Sequence, residues 1–184
     1  MGEIIPHGSN DADTITKSCF FFAKNNSPTN DWCYGLCISR KPDNKIQIMW
    51  SEQGSGYGFY DGCYAERIMK AGIWGPWEWV NPPMVLGVEY RTTERYQGKP
   101  VYTKLVDCGK FPAPGSSKQI AHGISDCYPI RVTGQMSNSN TVPWSEAYNI
   151  GADNIIIRLY AQTGFSDQSG TNTVALIHYT KTTD

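Results

Sequence analysis

Short apolar stretches separated by clusters of turn-forming residues follow one another along most of the chain. In the first half TKSCFFFAKNN, DWCYGLCISR and KIQIMWS indicate strands, and asparagine, serine and proline at residues 25–30 indicate the turn between the first two. In the second stretch bulky Trp32, Tyr34, Leu36 and Ile38 alternate with small Cys33, Gly35, Cys37 and Ser39. This predicts a strand with one bulky face and one small face, and the small face would permit close approach of another layer.

The stretch CYAERIMKAGIWGPWEWV is ambiguous. Asp61 could cap a helix over residues 64–71 that ends at Gly72, and local propensity favours this helix. We nevertheless predict a strand, because Trp77 and Trp79 would then share one face. A glycine-rich loop with embedded aromatic residues, EQGSGYGFYDG, precedes the segment.

The second half also has the pattern of strands and turns. The successive prolines within residues 81–84 cannot donate to a sheet and hold the backbone extended, so they predict a domain boundary. Beyond them a long alternating stretch surrounds Gln97-Gly98, which predicts a tight hairpin. CYPIRVTGQM predicts a strand with Tyr128, Ile130 and Val132 on one face, and IIIRLYAQT is an apolar run typical of a strand buried on both faces. With roughly ten strands and no helix, the pattern predicts an all-β fold.

Composition and charge narrow the classes of function. The 184 residues suffice for one large or two small domains, and 18 glycines and 11 prolines favour strands and turns over helices. The formal net charge of −1 provides no field that would attract nucleic acid or an anionic membrane. No apolar run approaches the roughly 20 residues of a membrane span, and residues 1–10 lack the features of a secretion signal. We therefore expect neither nucleic acid nor a membrane as partner.

The cysteines and histidines do not suggest a metal site. The six cysteines have no regular spacing, and the short pair Cys33 and Cys37 lacks a second pair at the distance that zinc needs. We expect buried free thiols, which would agree with assembly in a reducing cytoplasm. His122 and His178 lie in apolar stretches and are expected to be hydrogen-bonded core or interface residues. The sequence predicts no metal and no other cofactor.

Catalytic motifs are also lacking in the sequence. It contains no G-x-S-x-G elbow and no glycine loop of the kind that cradles phosphate. Two carboxylates could cleave a glycosidic bond, and the candidates are Glu52, Asp61, Glu66, Glu78, Asp107, Glu146, Asp153 and Asp167. Their spacing along the chain does not show whether two of them flank one cleft. We predict that the protein is not an enzyme.

Aromatic residues are abundant, with 6 Trp, 11 Tyr and 6 Phe. Flat rings stack on the apolar faces of sugars, so these residues suit glycan recognition. The strand residues Trp50, Trp74, Trp77 and Trp79 are expected to fill a core or a trimer axis. Rings in loops have no strand neighbours to pack against, so they and adjacent polar residues are the predicted glycan-binding residues. These are Tyr57, Phe59, Tyr60 and Asp61 in the first half and Trp144, Glu146, Tyr148, Phe165, Asp167 and Gln168 in the second.

Two stretches resemble known modules. YAERIMKAGIWGPWEWV resembles the end of the pyocin-knob module of phage tail fibres and related bacteriocin fibres, with Arg67, Trp74 and Trp77 at the matching positions. GVEYRTTERYQGKPVYTKLVDCG, AHGI and HYTKTTD resemble the C-terminal head of tail-fibre and baseplate proteins of phages of Firmicutes-like hosts. The two resemblances cover residues 17–184. They imply a homotrimeric, all-β distal tip of a fibre, and they imply that the arginine-bearing segment is a strand.

The predicted organisation combines these resemblances with the boundary at the two prolines. Residues 1–15 are expected to be a leader or stalk remnant without chemistry, residues 16–82 a knob-like β module, and residues 83–184 an antiparallel, jelly-roll-like β-sandwich head. Because the head forms the distal end of the proteins that it resembles, we expect the glycan contacts in the second half to matter most.

The leading hypothesis is a receptor-binding protein of a phage tail fibre or baseplate that adsorbs non-covalently to a host cell-surface polysaccharide. Its expected partners are this polysaccharide, further copies of the chain in a homotrimer, and other phage tail or baseplate proteins. Its expected location is the virion, at the tip of a tail fibre or baseplate, after assembly in the bacterial cytoplasm. Two alternatives stay open, namely a structural module that trimerises and caps a fibre without receptor contact, and a glycan depolymerase.

Overall fold

A computed structural model of the chain describes residues 11–51, 62–136, 148–164 and 166–184. Two compact units are present: unit 1 takes the described residues up to Pro83 together with Arg91–Thr93, and unit 2 takes Met84–Tyr90 and the described residues from Glu94 onwards. The strands of the described residues are β1 Cys19–Ala23, β2 Cys33–Lys41, β3 Asn44–Ser51, β4 Tyr64–Lys70, β5 Ile73–Trp74, β6 Glu78–Trp79, β7 Glu89–Tyr96, β8 Lys99–Lys110, β9 Ser117–Ala121, β10 Cys127–Met136, β11 Tyr148–Ala152, β12 Ile156–Ala161 and β13 Asn172–Lys181. The predicted all-β class is confirmed.

Unit 1 is built on an antiparallel sheet in the order β1-β2-β3-β4, with β5 and β6 both paired to β4. Its core lies on the small face of β2. The ring of Phe21 lies directly on Gly35, where a Cβ atom would be 2.3 Å from the ring, so only glycine permits this approach. Ala12 and Ile15, in the segment that the sequence assigns to a leader, are buried in the same core. The bulky face of β2 carries exposed Tyr34 and Ile38.

The ambiguous segment is a strand, as predicted. β4 pairs with β3 from Tyr64 to Met69, and the pairing with β3 turns alternate residues of β4 toward the core. Ala71 and Gly72 take the left-handed backbone conformation with φ of 52° and 80°, and this turn returns the chain to β5. There Trp74 lies opposite Met69. Arg67 is thereby placed on the core side of the sheet, close to the tryptophans that follow it.

Unit 2 is a sandwich of two antiparallel sheets, which confirms the predicted fold of this half. One sheet has the order β7-β8-β13-β10 and the other the order β11-β12-β9. Its core contains buried side chains from both sheets, among them Val106 of β8, Ile177 of β13 and Leu159 of β12. The predicted hairpin between β7 and β8 is confirmed, because Gln97 and Gly98 occupy its turn with φ of 51° and 82°.

Two details of unit 2 differ from the prediction. The register of β10 shifts between Pro129 and Arg131, so Tyr128 is exposed although Val132 is buried, and the two do not share one face. β12 is buried on one face only, since Leu159 is buried and its neighbour Tyr160 is exposed. In addition, Tyr148, predicted as a loop residue, begins strand β11.

All six cysteines are buried and free, which confirms the prediction. Burial raises the pKa of the Cys108 and Cys127 thiols to about 11. His122 is a hydrogen-bonded core residue, as expected, because its Nδ1 accepts from the Ile124 N–H at 3.1 Å and its Nε2 then donates to the Asp153 carbonyl at 3.1 Å. No helix capable of spanning a bilayer occurs in the described residues.

Candidate functional site

The three residues that carry the resemblance of the first half come together in unit 1. The guanidinium carbon of Arg67 lies over the Trp74 ring, 4.3 Å from its centroid, and over the Trp77 ring, 4.4 Å from its centroid. A guanidinium stacks favourably on indole faces, because the negative face of the ring attracts the cation. The β4-β5 turn brings Trp74 to this position, and Trp77 follows in the segment between β5 and β6.

A network of polar contacts holds the Arg67 side chain, which is 5% exposed. Its Nε and Nη2 donate to Gln47 Oε1 at 2.9 and 2.8 Å, and Nη2 also pairs with Asp13 Oδ1 at 2.7 Å. Gln47 Nε2 donates in turn to the Ala12 carbonyl at 2.8 Å. Burial lowers the pKa of Arg67 and the Asp13 carboxylate raises it, so the buried cation depends on its partner.

An open groove of about 510 Å³ lies beside this cluster. Its lining consists of Asp13, Asn26, Ser27, Pro28, Asn30, Arg67, Trp74, Gly75, Pro76 and Trp77. Trp77 Nε1 donates to the Asn26 carbonyl at 2.8 Å, which fastens the loop between β1 and β2 to the tryptophan. In that loop Asn26 and Asn30 have φ of 53° and 56°, a conformation that asparagine tolerates better than most residues.

Three polar groups of the groove retain bonding capacity. The side-chain amide of Asn30 is exposed and makes no hydrogen bond with the described residues. The Asp13 side chain is 44% exposed, although one of its oxygens pairs with Arg67. Trp74 Nε1 is a buried donor with no partner in the described residues. The groove thus combines free polar groups with the apolar surface of Pro76 and the tryptophans.

The side-chain polar groups that line the groove are amides, a hydroxyl, a guanidinium, indole N–H groups and a carboxylate. Neither histidine nor cysteine contributes to it, and Ser27 Oγ lies 2.7 and 2.8 Å from the carbonyl oxygens of Lys24 and Asp31, so its hydroxyl is already engaged. Asp13 is the one carboxylate of the lining. No group of three side chains able to hold a metal ion is found within the described ranges.

Most of the predicted glycan-binding residues lie outside the described residues, namely Tyr57, Phe59, Tyr60, Asp61, Trp144, Glu146 and Phe165. Tyr148 is the first residue of β11. Asp167 and Gln168 lie in the loop before β13, where Asp167 Oδ1 accepts from the Ser169 N–H at 2.8 Å and the Gln168 carbonyl accepts from the Thr171 N–H at 2.9 Å. The Ser169 hydrogen bond lowers the pKa of Asp167. Their role in glycan binding stays a prediction.

The carboxylates considered for glycoside cleavage mostly support the backbone or pair with arginine. Glu52, Asp61 and Glu146 lie outside the described residues. Asp153 accepts from two successive backbone N–H groups at 2.8 Å each, and Asp107 accepts from the Gly109 N–H at 2.8 Å. Glu78 accepts from Arg91 Nε at 2.9 Å. Glu66 lies opposite Glu78 in the sheet.

Sequence reasoning did not predict the groove, because none of the residues that line it is among the predicted glycan-binding residues. The residues 25–30 were recognised as a turn, but their pattern does not indicate that Asn30 borders a cavity. Asp13 lies 54 positions before its partner Arg67, in a stretch without periodicity, so no local signal connects the two. The resemblance singles out Arg67, Trp74 and Trp77, but the sequence analysis assigns the two tryptophans to a core or a trimer axis and gives none of the three a binding role.

Comparison with solved structures finds similarity to pyocin tail fibres. The chain is similar to the solved structure of an N-truncated R2-type pyocin tail fibre, with 8% identity, 98% of each chain covered and a TM-score of 0.34. It is also similar to the C-terminal part of an R1 pyocin fibre of P. aeruginosa, with 10% identity, 97% of this chain and 67% of that chain covered and a TM-score of 0.33. These structures belong to the group that the sequence resembles. At such TM-scores they place no residue of this chain, so the groove is assigned from its own contacts.

The other two comparisons gave no match. No protein-family model matches the chain, and no curated protein matches it.

Proposed function

We propose that this chain is a receptor-binding module of a phage or bacteriocin tail fibre that adsorbs to a polysaccharide of the host surface without changing it chemically. The observation that carries the proposal is the groove beside Arg67, whose lining joins apolar rings to free polar groups. The sequence resemblance of Arg67, Trp74 and Trp77 to the pyocin-knob module supports the assignment to a tail fibre.

The groove has the mixed lining that sugars need. Its volume of about 510 Å³ lies within the usual range of small-molecule sites, about 300–1,000 Å³. A sugar ring presents apolar C–H faces and polar hydroxyls. Pro76 and the tryptophans would contact the C–H faces, and Asn30 and Asp13 would form hydrogen bonds with the hydroxyls. The side chains that Arg67 and Gln47 hold in place lose little freedom on binding, which favours affinity.

The proposed partners and location follow from the same role. Three copies of the chain would form a homotrimer attached to other tail or baseplate proteins of the virion, after assembly in the bacterial cytoplasm. Three weak sites on one fibre act together, because binding at one site raises the effective sugar concentration at the others. Adsorption would therefore be firm although each groove is open and shallow.

A matched pair of variants tests the proposal on an array of purified bacterial surface polysaccharides. Asn30→Gly removes the free amide and suits the left-handed backbone at this position. We expect it to weaken binding to the recognised polysaccharide about fivefold to tenfold, the effect of one hydrogen bond. Gln97→Gly is the control, because Gln97 is an exposed amide with φ of 51° in a turn of unit 2. Equal binding by both variants would contradict a role of the groove.

The alternatives predict other results. A structural capping module would bind no polysaccharide on the array. If the predicted loop residues carry the contact, Trp144→Ala and Phe165→Ala would abolish binding while Asn30→Gly would leave it intact. A depolymerase would shorten the polysaccharide during prolonged incubation, and we expect its chain length to stay unchanged.

A further inference from the structure

Two buried cysteines lie opposite each other at the edge of the unit 1 sheet. β1 pairs with β2 alone among the described strands, and in that pairing Cys19 lies opposite Cys37. Both side chains belong to the buried core of unit 1. Among the paired residues of the described sheets this is the one pair that consists of two cysteines.

The spacing of the two residues suits a covalent bond between their sulfur atoms. Residues directly opposite each other in an antiparallel ladder have Cα atoms about 4.5 or about 5.5 Å apart. Both distances lie within the range of roughly 4.4–6.8 Å that a disulfide bridges, and the two Cβ atoms leave the sheet on the same side. The other cysteine of β2, Cys33, lies opposite Ala23 and Ser51, so no cysteine is next to it in the sheet.

The same row of the sheet reaches the candidate site. Cys37 of β2 lies opposite Gln47 of β3, and Gln47 lies opposite Arg67 of β4. A bond between β1 and β2 in this row would therefore join the edge strand to the residues that hold the Arg67 side chain.

We infer that Cys19 and Cys37 form a disulfide bond when the chain meets a small-molecule disulfide outside a reducing compartment. The thiolate of one cysteine attacks a sulfur of oxidised glutathione and releases one reduced glutathione, which leaves a mixed disulfide. The opposite thiolate then attacks the protein sulfur of this mixed disulfide and releases the second glutathione. Each protein thiol passes its proton to a departing glutathione thiolate, so two protein thiols are oxidised and one oxidised glutathione becomes two reduced molecules.

Burial controls how fast the bond forms in the folded chain. It raises the pKa of the Cys37 thiol, and the neighbouring Cys19 acts in the same direction. Because the thiolate is the attacking species, the exchange requires β1 to open and admit water and glutathione. Both thiols are accessible in the unfolded chain, so folding in the presence of oxidised glutathione avoids this kinetic protection.

Refolding of the full chain from denaturant in a mixture of oxidised and reduced glutathione tests the inference, because disulfides then exchange to equilibrium. The remaining thiols are alkylated, and mass spectrometry of protease fragments identifies the linked cysteines. We expect Cys19 joined to Cys37 and the other cysteines alkylated. The cross-linked chain should melt roughly 5–10 °C higher than the reduced chain, because the bond restricts the unfolded chain.

A matched pair of variants assigns the effect to this bond. Cys37→Ser removes one of the two thiols, and Cys33→Ser is the control, since both residues are fully buried cysteines of β2 in the same core. We expect the control to keep the cross-link and the rise in melting temperature, and Cys37→Ser to lose both. Circular dichroism checks that each variant is folded, and Cys19→Ala replaces Cys37→Ser if that variant does not fold.

Three outcomes would overturn the inference. These are a refolded wild type in which Cys19 and Cys37 stay thiols, a bond between other cysteines in place of this one, and a Cys19–Cys37 bond that leaves the melting temperature unchanged or lowers it. None of these results depends on what the groove binds, so failure of this inference is distinguishable from failure of the proposed function.

Discussion

At the scale of single residues, the Arg67 cluster shows why arginine rather than lysine occupies a buried position in β4. Its guanidinium reaches Gln47 and Asp13 at once while its flat face contacts two indole rings. An ammonium group has neither the planar shape nor the fixed set of donors. Residues of the same cluster line the groove, so we expect its integrity to affect both stability and the proposed binding.

Arg67→Lys is therefore expected to lower the free energy of unfolding by about 1–3 kcal/mol, because buried Gln47 loses its donor. Denaturant unfolding followed by tryptophan fluorescence measures the change. Arg158→Lys is the matched control: Arg158 also pairs with an aspartate, at 2.8 Å, but it is an exposed residue. An exposed pair contributes little to stability, because solvent and salt screen it. Equal losses in the two variants would contradict the structural role of Arg67.

Gly35→Ala tests the close contact on the small face of β2. The added Cβ would lie 2.3 Å from the Phe21 ring, which is buried, so we expect destabilisation by about 1–3 kcal/mol. Gly151→Ala is the control, since this strand glycine has open space around its Cβ position. Thermal unfolding measures the loss of stability in Gly35→Ala and in Gly151→Ala. If the Phe21 ring is the obstacle, the double variant Gly35→Ala/Phe21→Leu should be destabilised by less than the sum of the two single variants. Destabilisations that simply add would argue against this contact.

At the scale of elements, the β7-β8 hairpin has a turn that its sequence does not fill optimally. Both turn residues have positive φ, and Asn-Gly is preferred over Gln-Gly in such a turn. Gln97→Asn is expected to raise the stability by a few tenths of a kcal/mol up to about 1 kcal/mol, and Gly98→Ala to lower it by about 1 kcal/mol. Calorimetry measures the change in melting temperature of each variant. A lower melting temperature for Gln97→Asn would contradict the assigned turn.

The elements also show what the sequence could and could not predict. Alternation in β2 predicts one bulky and one small face, but it does not tell which face is covered. Here the small face is covered, because Phe21, Ala12 and Ile15 from elsewhere in the chain pack on it. In β10 the alternation is interrupted at Pro129, and only the pairing with β13 reveals the shift. The strands and turns could be predicted from the local sequence pattern. Which strands pair and which faces are covered depends on contacts between residues far apart in the sequence.

At the scale of the whole molecule, stability is expected to depend on pH through His178 in unit 2. Burial lowers its pKa below the ordinary value of 6.5, and the charge of Arg131 acts in the same direction. Unfolding therefore takes up a proton when the pH lies between the lowered value and 6.5, so stability decreases as the pH falls through this window. His178→Phe should flatten the stability profile as the pH falls below 6.5. Parallel profiles for variant and wild type would contradict this role.

The central claim is that the groove beside Arg67 binds a surface polysaccharide. The most direct measurement is a titration of the ¹⁵N-labelled chain with fragments of the recognised polysaccharide, followed through the indole N–H signals in NMR spectra. We predict that the signals of Trp74 and Trp77 shift progressively to saturation, while the signal of Trp50, an exposed residue of β3 that does not line the groove, stays in place. Saturation binding that leaves the Trp74 and Trp77 signals unmoved would contradict the account.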